Sequence, residues 1–222
     1  MQAHITIGEV DSLKIHAVIS YGISSNIYII ENESGAVLID AGFGPPHSNL
    51  VASLEKFNIK IEDISKVLIT HRHKDHTNGL KQILNQVEPQ IYVHRADADI
   101  VINRLKVSRS LVVKMGEKCT INVGEEVIDA IHTPGHTAGS TCYLLKNILF
   151  SGDLVFASGG FGRTDLPTGN LQELIRSLNR ISRLNVNVLL PGHGELVLSD
   201  AKLHIKLALK NAKSLLKMRR KV

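Results

Sequence analysis

The sequence predicts a layered α/β fold, and three observations carry that prediction. Segments with strand-like and helix-like patterning alternate along the chain, which favours layers over a helical bundle or an all-β sandwich. The 222 residues are 43% hydrophobic and 21% charged, sufficient for a substantial buried core. No low-complexity tract or long linker divides them, so residues 1–222 are expected to form a single domain built from two α/β halves.

The first half opens on apolar, β-branched runs at 14–19, 27–30 and 36–39, with Asn32 and Gly35 marking a tight turn between the last two. They predict a meander. After Pro45-Pro46, the spacing of Leu50, Leu54 and Phe57 predicts a helix over about 48–57. A buried strand at 67–69, a helix at 79–84, a strand at 90–93 and a helix at 96–105 complete this half. The second half repeats the alternation, with strands at 127–131, 141–145 and 148–150, a helix at 171–184 and a strand at 188–190. A basic helix at about 201–219 ends the chain.

Cys119 and Cys142 are too few for a disulfide framework and lie in no metal-binding or redox spacing. They are expected to pack as small hydrophobes in a reducing compartment. His4, Glu9, Asp11 and Lys14 interrupt every early apolar run, which excludes a signal-peptide layout, and no stretch approaches the ~20 apolar residues of a bilayer span. The expectation is a soluble, cytoplasmic protein with no membrane partner. The formal charge of +5 belongs to residues 201–222, where Lys202, Lys206, Lys210, Lys213, Lys217, Arg219, Arg220 and Lys221 face no acidic residue; the remainder carries −3. Ala201, Ile205, Ala208, Ala212 and Leu215 recur at helical spacing in the same segment, so the lysine stripe is expected to be a solvated face. Binding of an acidic partner is the alternative.

The chemistry concentrates in His71, His73, Asp75 and His76, within Thr70–His76 directly after the predicted strand at 67–69. Four potential ligands on one strand-end loop can converge on a small volume while a sheet holds them. Imidazole and carboxylate suit zinc, iron, manganese and nickel alike. Three more strand ends follow the same logic: His136 in Thr-Pro-Gly-His-Thr-Ala-Gly-Ser, Asp153 in Ser-Gly-Asp, and His193 in Pro-Gly-His-Gly. One site drawn from four strand ends is expected, binding one or two divalent metal ions per chain. His4, His16, His47, His94, His132 and His204 stand outside the series, with His132 the nearest to it.

In order and spacing from about Asn26 to His193, H-x-H-x-D-H, T-P-G-H-T-x-G-S, S-G-D and P-G-H-G closely resemble the motif series of the metallo-β-lactamase superfamily. The resemblance implies an αβ/βα four-layer sandwich, two sheets face to face with helices outside. It also implies ligand roles: His71, His73 and His136 for a first ion, Asp75, His76 and His193 for a second, and Asp153 bridging. Asp40, in Asp-Ala-Gly, matches an early D-x-G motif whose aspartate orients the ligand loop; a simple turn former is the alternative reading.

Two metals can share a hydroxide of lowered pKa, so no serine or cysteine nucleophile is required. Asp75 could act on the proton as well as ligate. The stretch Phe161–Asn170 resembles the G-R-x-D segment of glyoxalase II-like thioesterases and of the related persulfide dioxygenases. Arg163 is therefore a candidate substrate contact, or forms with Asp165 a pair that fixes the loop. The resemblance implies a metal-dependent hydrolase, a hydroxyacylglutathione hydrolase-like thioesterase acting on thioesters of a small thiol, with zinc ahead of iron or manganese. Full-length glyoxalase II carries an additional helical domain with no counterpart here, which puts glutathione itself in doubt as the carrier thiol. The alternative is an iron-dependent persulfide dioxygenase using His71, His136 and Asp153. A nuclease is disfavoured by scarce aromatics, 4%, and by the lack of a large insertion between His136 and His193; lactonase or β-lactamase activity is likewise a minor alternative. The expected partner is thus a small thioester or related thiol compound, not nucleic acid, and a homo-oligomer stays open.

Overall fold

The computed structural model describes residues 2–219. Arg220 and Lys221, counted above in the basic terminus, lie outside the described residues. Seven strands form the first sheet in sequence order: β1 (Gln2–Val10), β2 (Leu13–Ser20), β3 (Ile27–Asn32), β4 (Gly35–Ile39), β5 (Ile64–Leu68), β6 (Gln90–His94) and β7 (Val112–Met115). β1 to β4 are an antiparallel meander, and β4 to β7 run parallel. Parallel neighbours need crossovers. These are supplied by α1 (Leu50–Lys56), by α2 (Lys74–Thr77) with a 3-10 turn behind it, and by α3 (Arg95–Leu105). The second sheet has the order β12-β11-β10-β9-β8, from β8 (Lys118–Val123), β9 (Glu126–His132), β10 (Thr141–Leu145), β11 (Ile148–Gly152) and β12 (Val188–Pro191). α4 (Leu171–Ile181) crosses between β11 and β12, and α5 (Ala201–Arg219) follows.

Side-chain alternation along the strands explains the layering. Tyr28 and Ile30 of β3, Val37 and Ile39 of β4, Tyr143 of β10 and Phe150 of β11 share one cluster between the sheets. Their neighbours Ile27, Ile29, Ala36 and Leu38 point the other way, into a second cluster with Leu50 and Leu54 of α1 and Ala98 and Val101 of α3. A third cluster joins Cys142 and Leu149 to Leu174 and Leu178 of α4 and to Ile205 and Ala208 of α5. Three apolar seams between four layers give the αβ/βα sandwich. Central strands buried on both faces read as continuous apolar runs.

The expected elements recur with adjusted ends. The strand expected at 67–69 is Ile64–Leu68, and the helix expected to reach 184 ends at Ile181. Residues expected to form a helix at 79–84 instead form a 3-10 helix over Asn78–Gln82, where Gly79 packs so closely on the Ala41 carbonyl that a Cβ would not fit. β1, β7 and β8 were not anticipated. Among the described residues no helix is long and apolar enough to cross a membrane.

Candidate metal centre

Asp40 and the Thr70–His76 loop leave the carboxyl ends of parallel β4 and β5; Asp153 and His193 leave those of parallel β11 and β12. His136 follows β9, which β10 sets parallel to β11 through two antiparallel pairings. Strand ends from both sheets therefore meet along one edge of the sandwich, where open α/β sheets hold their ligands.

All seven singled-out side chains converge there. His71 Nε2 and His136 Nε2 lie 3.0 and 2.9 Å from His73 Nδ1. On the other side, His193 Nε2 lies 3.3 Å from His76 Nε2 and 3.1 Å from Asp75 Oδ2. Asp153 stands between the groups: its Oδ2 is 3.4 Å from His136 Nε2, and its Oδ1 is 3.3 Å from His76 Nε2 and 3.8 Å from His193 Nε2. That Oδ1 is buried without a hydrogen-bond partner among the described residues. Clusters of such atoms can hold metal ions.

Hydrogen bonds on the outer ring nitrogens fix which atoms face inward. His136 Nδ1 is 2.7 Å from the Arg163 carbonyl, which only accepts, so Nδ1 carries the hydrogen and Nε2 presents its lone pair. His76 Nδ1 donates in the same way to Asp40 Oδ2, at 2.6 Å. The Thr70 hydroxyl donates to that same carboxylate oxygen at 2.7 Å and so accepts from His71 Nδ1 at 3.1 Å. Asp40 further accepts the Thr70 amide at 2.8 Å. One buried aspartate thereby aligns two imidazoles, the support that metal-bound histidines need. Its φ of 57° makes it a turn residue as well.

The electrostatics of the cluster follow from crowding. Burial, and then the neighbouring imidazole of His76, hold His71 well below the ordinary histidine range. Burial and then His136 bring His73 down to about 4. Neutral rings are the ligating form. Asp153 is penalised by burial, yet the imidazoles of His76 and His71 hold its carboxyl well below the usual carboxylate range. Asp75 is likewise opposed by burial but kept low by its hydrogen bond to His193 and by His76.

Backbone closeness is also built in. A Cβ at Gly192 would stand 2.4 Å from Asp153 Oδ1, and one at Gly162 would stand 2.1 Å from the Asp153 carbonyl and 2.9 Å from His136 Nδ1. Only glycine fits at either position.

Several supports were not singled out from the sequence. Asn26 donates through Nδ2 to the Pro191 and Gly194 carbonyls, at 3.1 and 3.0 Å, pinning the His193 loop to β3. Tyr28 Oη donates to the Pro191 carbonyl at 2.6 Å. Buried Asp97 accepts from the Arg72 amide at 3.0 Å and from the Thr137 hydroxyl at 2.7 Å, tying the Thr70–His76 loop to the His136 loop. Arg163, by contrast singled out from the sequence, forms with Asp165 the pair weighed there against a substrate contact, at 2.9 and 2.6 Å. Its side chain fixes the loop while its main chain orients His136.

An open cleft of about 870 Å³ lies over the cluster, walled by Ile100, Phe156, Leu166 and Pro167. Arg72, Lys74, Arg104 and Arg163 also line it. A smaller hollow of about 500 Å³ between β8, β9 and α4, lined by Cys119, Asp129 and Arg180, contains none of the clustered ligands.

Fold and cluster together define a metal-binding α/β/β/α sandwich, and residues 21–193 match the family described as the Metallo-beta-lactamase superfamily, to which the chain belongs. It is 35% identical to a probable metallo-hydrolase, MJ0888, of Methanocaldococcus jannaschii, over 79% of this chain and 90% of that one. It is 32% identical to a thioesterase, pkgB, of Emericella nidulans, over 79% of this chain and 47% of the relative, so it spans under half of that protein. Among solved structures, TTHA1623 in a di-iron-bound form shares 26% identity at a TM-score of 0.67, covering 85% of this chain and 94% of that one.

Proposed function

We propose that this protein is a thioesterase of the glyoxalase II-like kind, hydrolysing acyl thioesters of a small thiol at a two-metal centre. The observation that carries the metal part is the division of Asp153, one oxygen facing each cluster, with Oδ1 buried and otherwise unpartnered. Ring nitrogens sharing one ion at 2.0–2.1 Å stand roughly 3.4 Å apart, close to the spacings here. The donor set fits. His71, His73 and His136 would hold one ion, Asp75, His76 and His193 the other, and Asp153 both. Nitrogen and carboxylate donors suit zinc first, with iron and manganese as alternatives.

Bound ions would supply a water acidified to near neutrality and a Lewis acid toward the acyl oxygen. The chain's own residues do the rest. Asp75, anionic and facing the cleft beside His193, can take up a proton at its carboxylate while the thioester carbonyl is attacked. Thiolate is a good leaving group, so its departure needs no strong acid. Phe156, Leu166 and Pro167 give the substrate an apolar bed, and Asp40 with Thr70 keeps the imidazoles from turning. The 32% identical thioesterase supports the choice of bond.

The test is a panel of acyl thioesters offered to protein reconstituted with zinc, beside oxygen-uptake assays with low-molecular-weight persulfides on the iron form. Thioester turnover without oxygen consumption is expected. Oxygen-dependent persulfide oxidation without thioester turnover would replace this reading with the dioxygenase.

A further inference from the structure

The cleft holds four cationic side chains in two different situations. Two are matched: Arg72 reaches buried Asp97, with Nε 3.8 Å from Oδ1, and donates to the Pro167 carbonyl, while Arg163 forms its bidentate pair with Asp165. Lys74 and Arg104 are not. Arg104, half-buried on α3, donates to the Arg72 carbonyl and, at 3.3 Å, to the Thr77 hydroxyl, both neutral acceptors. Neither cation has a carboxylate at ion-pair distance among the described residues. Taking a guanidinium partly out of water without a counter-charge is costly, and its remaining donors suit a planar oxyanion.

Around this corner the wall is apolar. Ile100 lies one helical turn from Arg104 on α3 and is 39% exposed, and Leu166 and Pro167 line the same cleft. Two cations without a contact ion pair, an apolar wall and the histidine-aspartate cluster therefore share one cleft.

We propose that Lys74 and Arg104 form a specificity subsite that binds a carboxylate on one arm of the substrate, the arm itself lying across Ile100, Leu166 and Pro167. This rests on the thioesterase reading and narrows it to acid-bearing thioesters. A charge-assisted contact in a partly desolvated cleft gives discrimination because the uncharged analogue leaves the donors unpaired. Asp75 and Asp97 act on Arg104 from beyond ion-pair distance, and Asp75 and Asp153 turn their oxygens to the histidines, so none forms a contact pair with it.

The experiment compares matched thioesters that differ only in a terminal carboxylate or carboxamide, read as the ratio of their kcat/KM values. In the metal-loaded wild type the carboxylate is expected to be favoured at least tenfold, mainly through KM. The ratio should fall toward one in Lys74→Gln/Arg104→Gln and recover partly in Arg104→Lys. Lys74→Gln alone, an exposed change, keeps the test valid if the double variant folds poorly. A wild-type ratio near one, or a ratio unchanged by the substitutions, overturns the subsite. Calorimetric binding of the carboxylate-terminated product, against its carboxamide, separates this outcome from failure of the thioesterase reading. If no thioester turns over, weaker carboxylate binding in the variants still supports the corner. Equal binding in wild type and variants means that the metals hold the anion and overturns it.

Discussion

Asp153 has its chemistry set by where its two oxygens point, one at each group of imidazoles. Under the proposed two-metal reading, removing it would take a donor from both ions, whereas Asp165 pairs with Arg163 on an exposed loop. Asp153→Ala is expected to lower kcat/KM for the best thioester by about a thousandfold or more and to reduce bound metal; Asp165→Ala should change it by less than about tenfold. Equal losses would promote Asp165 to a substrate contact. Asp40 acts one step further out, through His76 and Thr70. Asp40→Ala is expected to weaken metal affinity by about 10–100-fold, measured by competition with a chelator. The clustered residues were legible because four potential ligands crowd one strand-end loop and histidine or aspartate recurs beside glycine at three more strand ends. Asp97, Asn26 and Thr70 were not, since each is a single ordinary polar residue whose value lies in a partner supplied by another segment of the chain. The Arg163 carbonyl has no side-chain signature at all.

At the level of elements, the strands and helices with strong periodicity emerged from the sequence, and the weak edges did not. β1 has only half-buried and exposed positions, carries charge at Glu9 and is bulged between Thr6 and Gly8, so it lacks the apolar run that marks a central strand. β7 is only four residues long. The α5 stripe behaves as its pattern implies: Ala201, Ile205, Ala208 and Ala212 are buried against α4 and its surroundings, while Lys210, Lys213 and Lys217 are exposed. Replacing those three lysines with glutamine should alter kcat and KM by less than twofold at any ionic strength, by steady-state assay; a salt-dependent loss confined to the wild type would put the helix on the substrate path. α3 supplies a pH prediction. Its N-cap His94 accepts the Ala96 amide, stacks on His132 at 3.8 Å and is buried, and burial followed by His132 lowers it to about 4, with Glu117 opposing and Arg95 assisting. Between about 6.5 and 4 the unfolded chain binds the proton that the folded chain refuses. Stability is therefore complete above about 6.5 and falls as the pH drops through that window, by roughly 3 kcal/mol at most. His94→Asn keeps a capping acceptor and should flatten that slope in denaturant titrations. An unchanged slope would assign the loss to other groups.

Across the whole molecule, two sheets packed face to face bring loops distant in sequence to one edge, and phenol hydroxyls stitch them together. Tyr28 reaches Pro191 and Tyr143 reaches the Ile69 carbonyl at 2.8 Å, each joining one sheet to the ligand loop of the other. The cluster thus depends on the sandwich as a unit, and its residues span positions 71 to 193. On the proposed reading, metal binding and hydrolysis rest on the same residues. The direct measurement is a titration of metal-free protein with zinc, following bound metal and thioester turnover in the same samples. The account predicts saturation at two ions per chain, turnover that rises with binding, and loss of both in Asp153→Ala. Full thioester turnover in metal-free protein, or metal binding and turnover unaffected by Asp153→Ala, would contradict it.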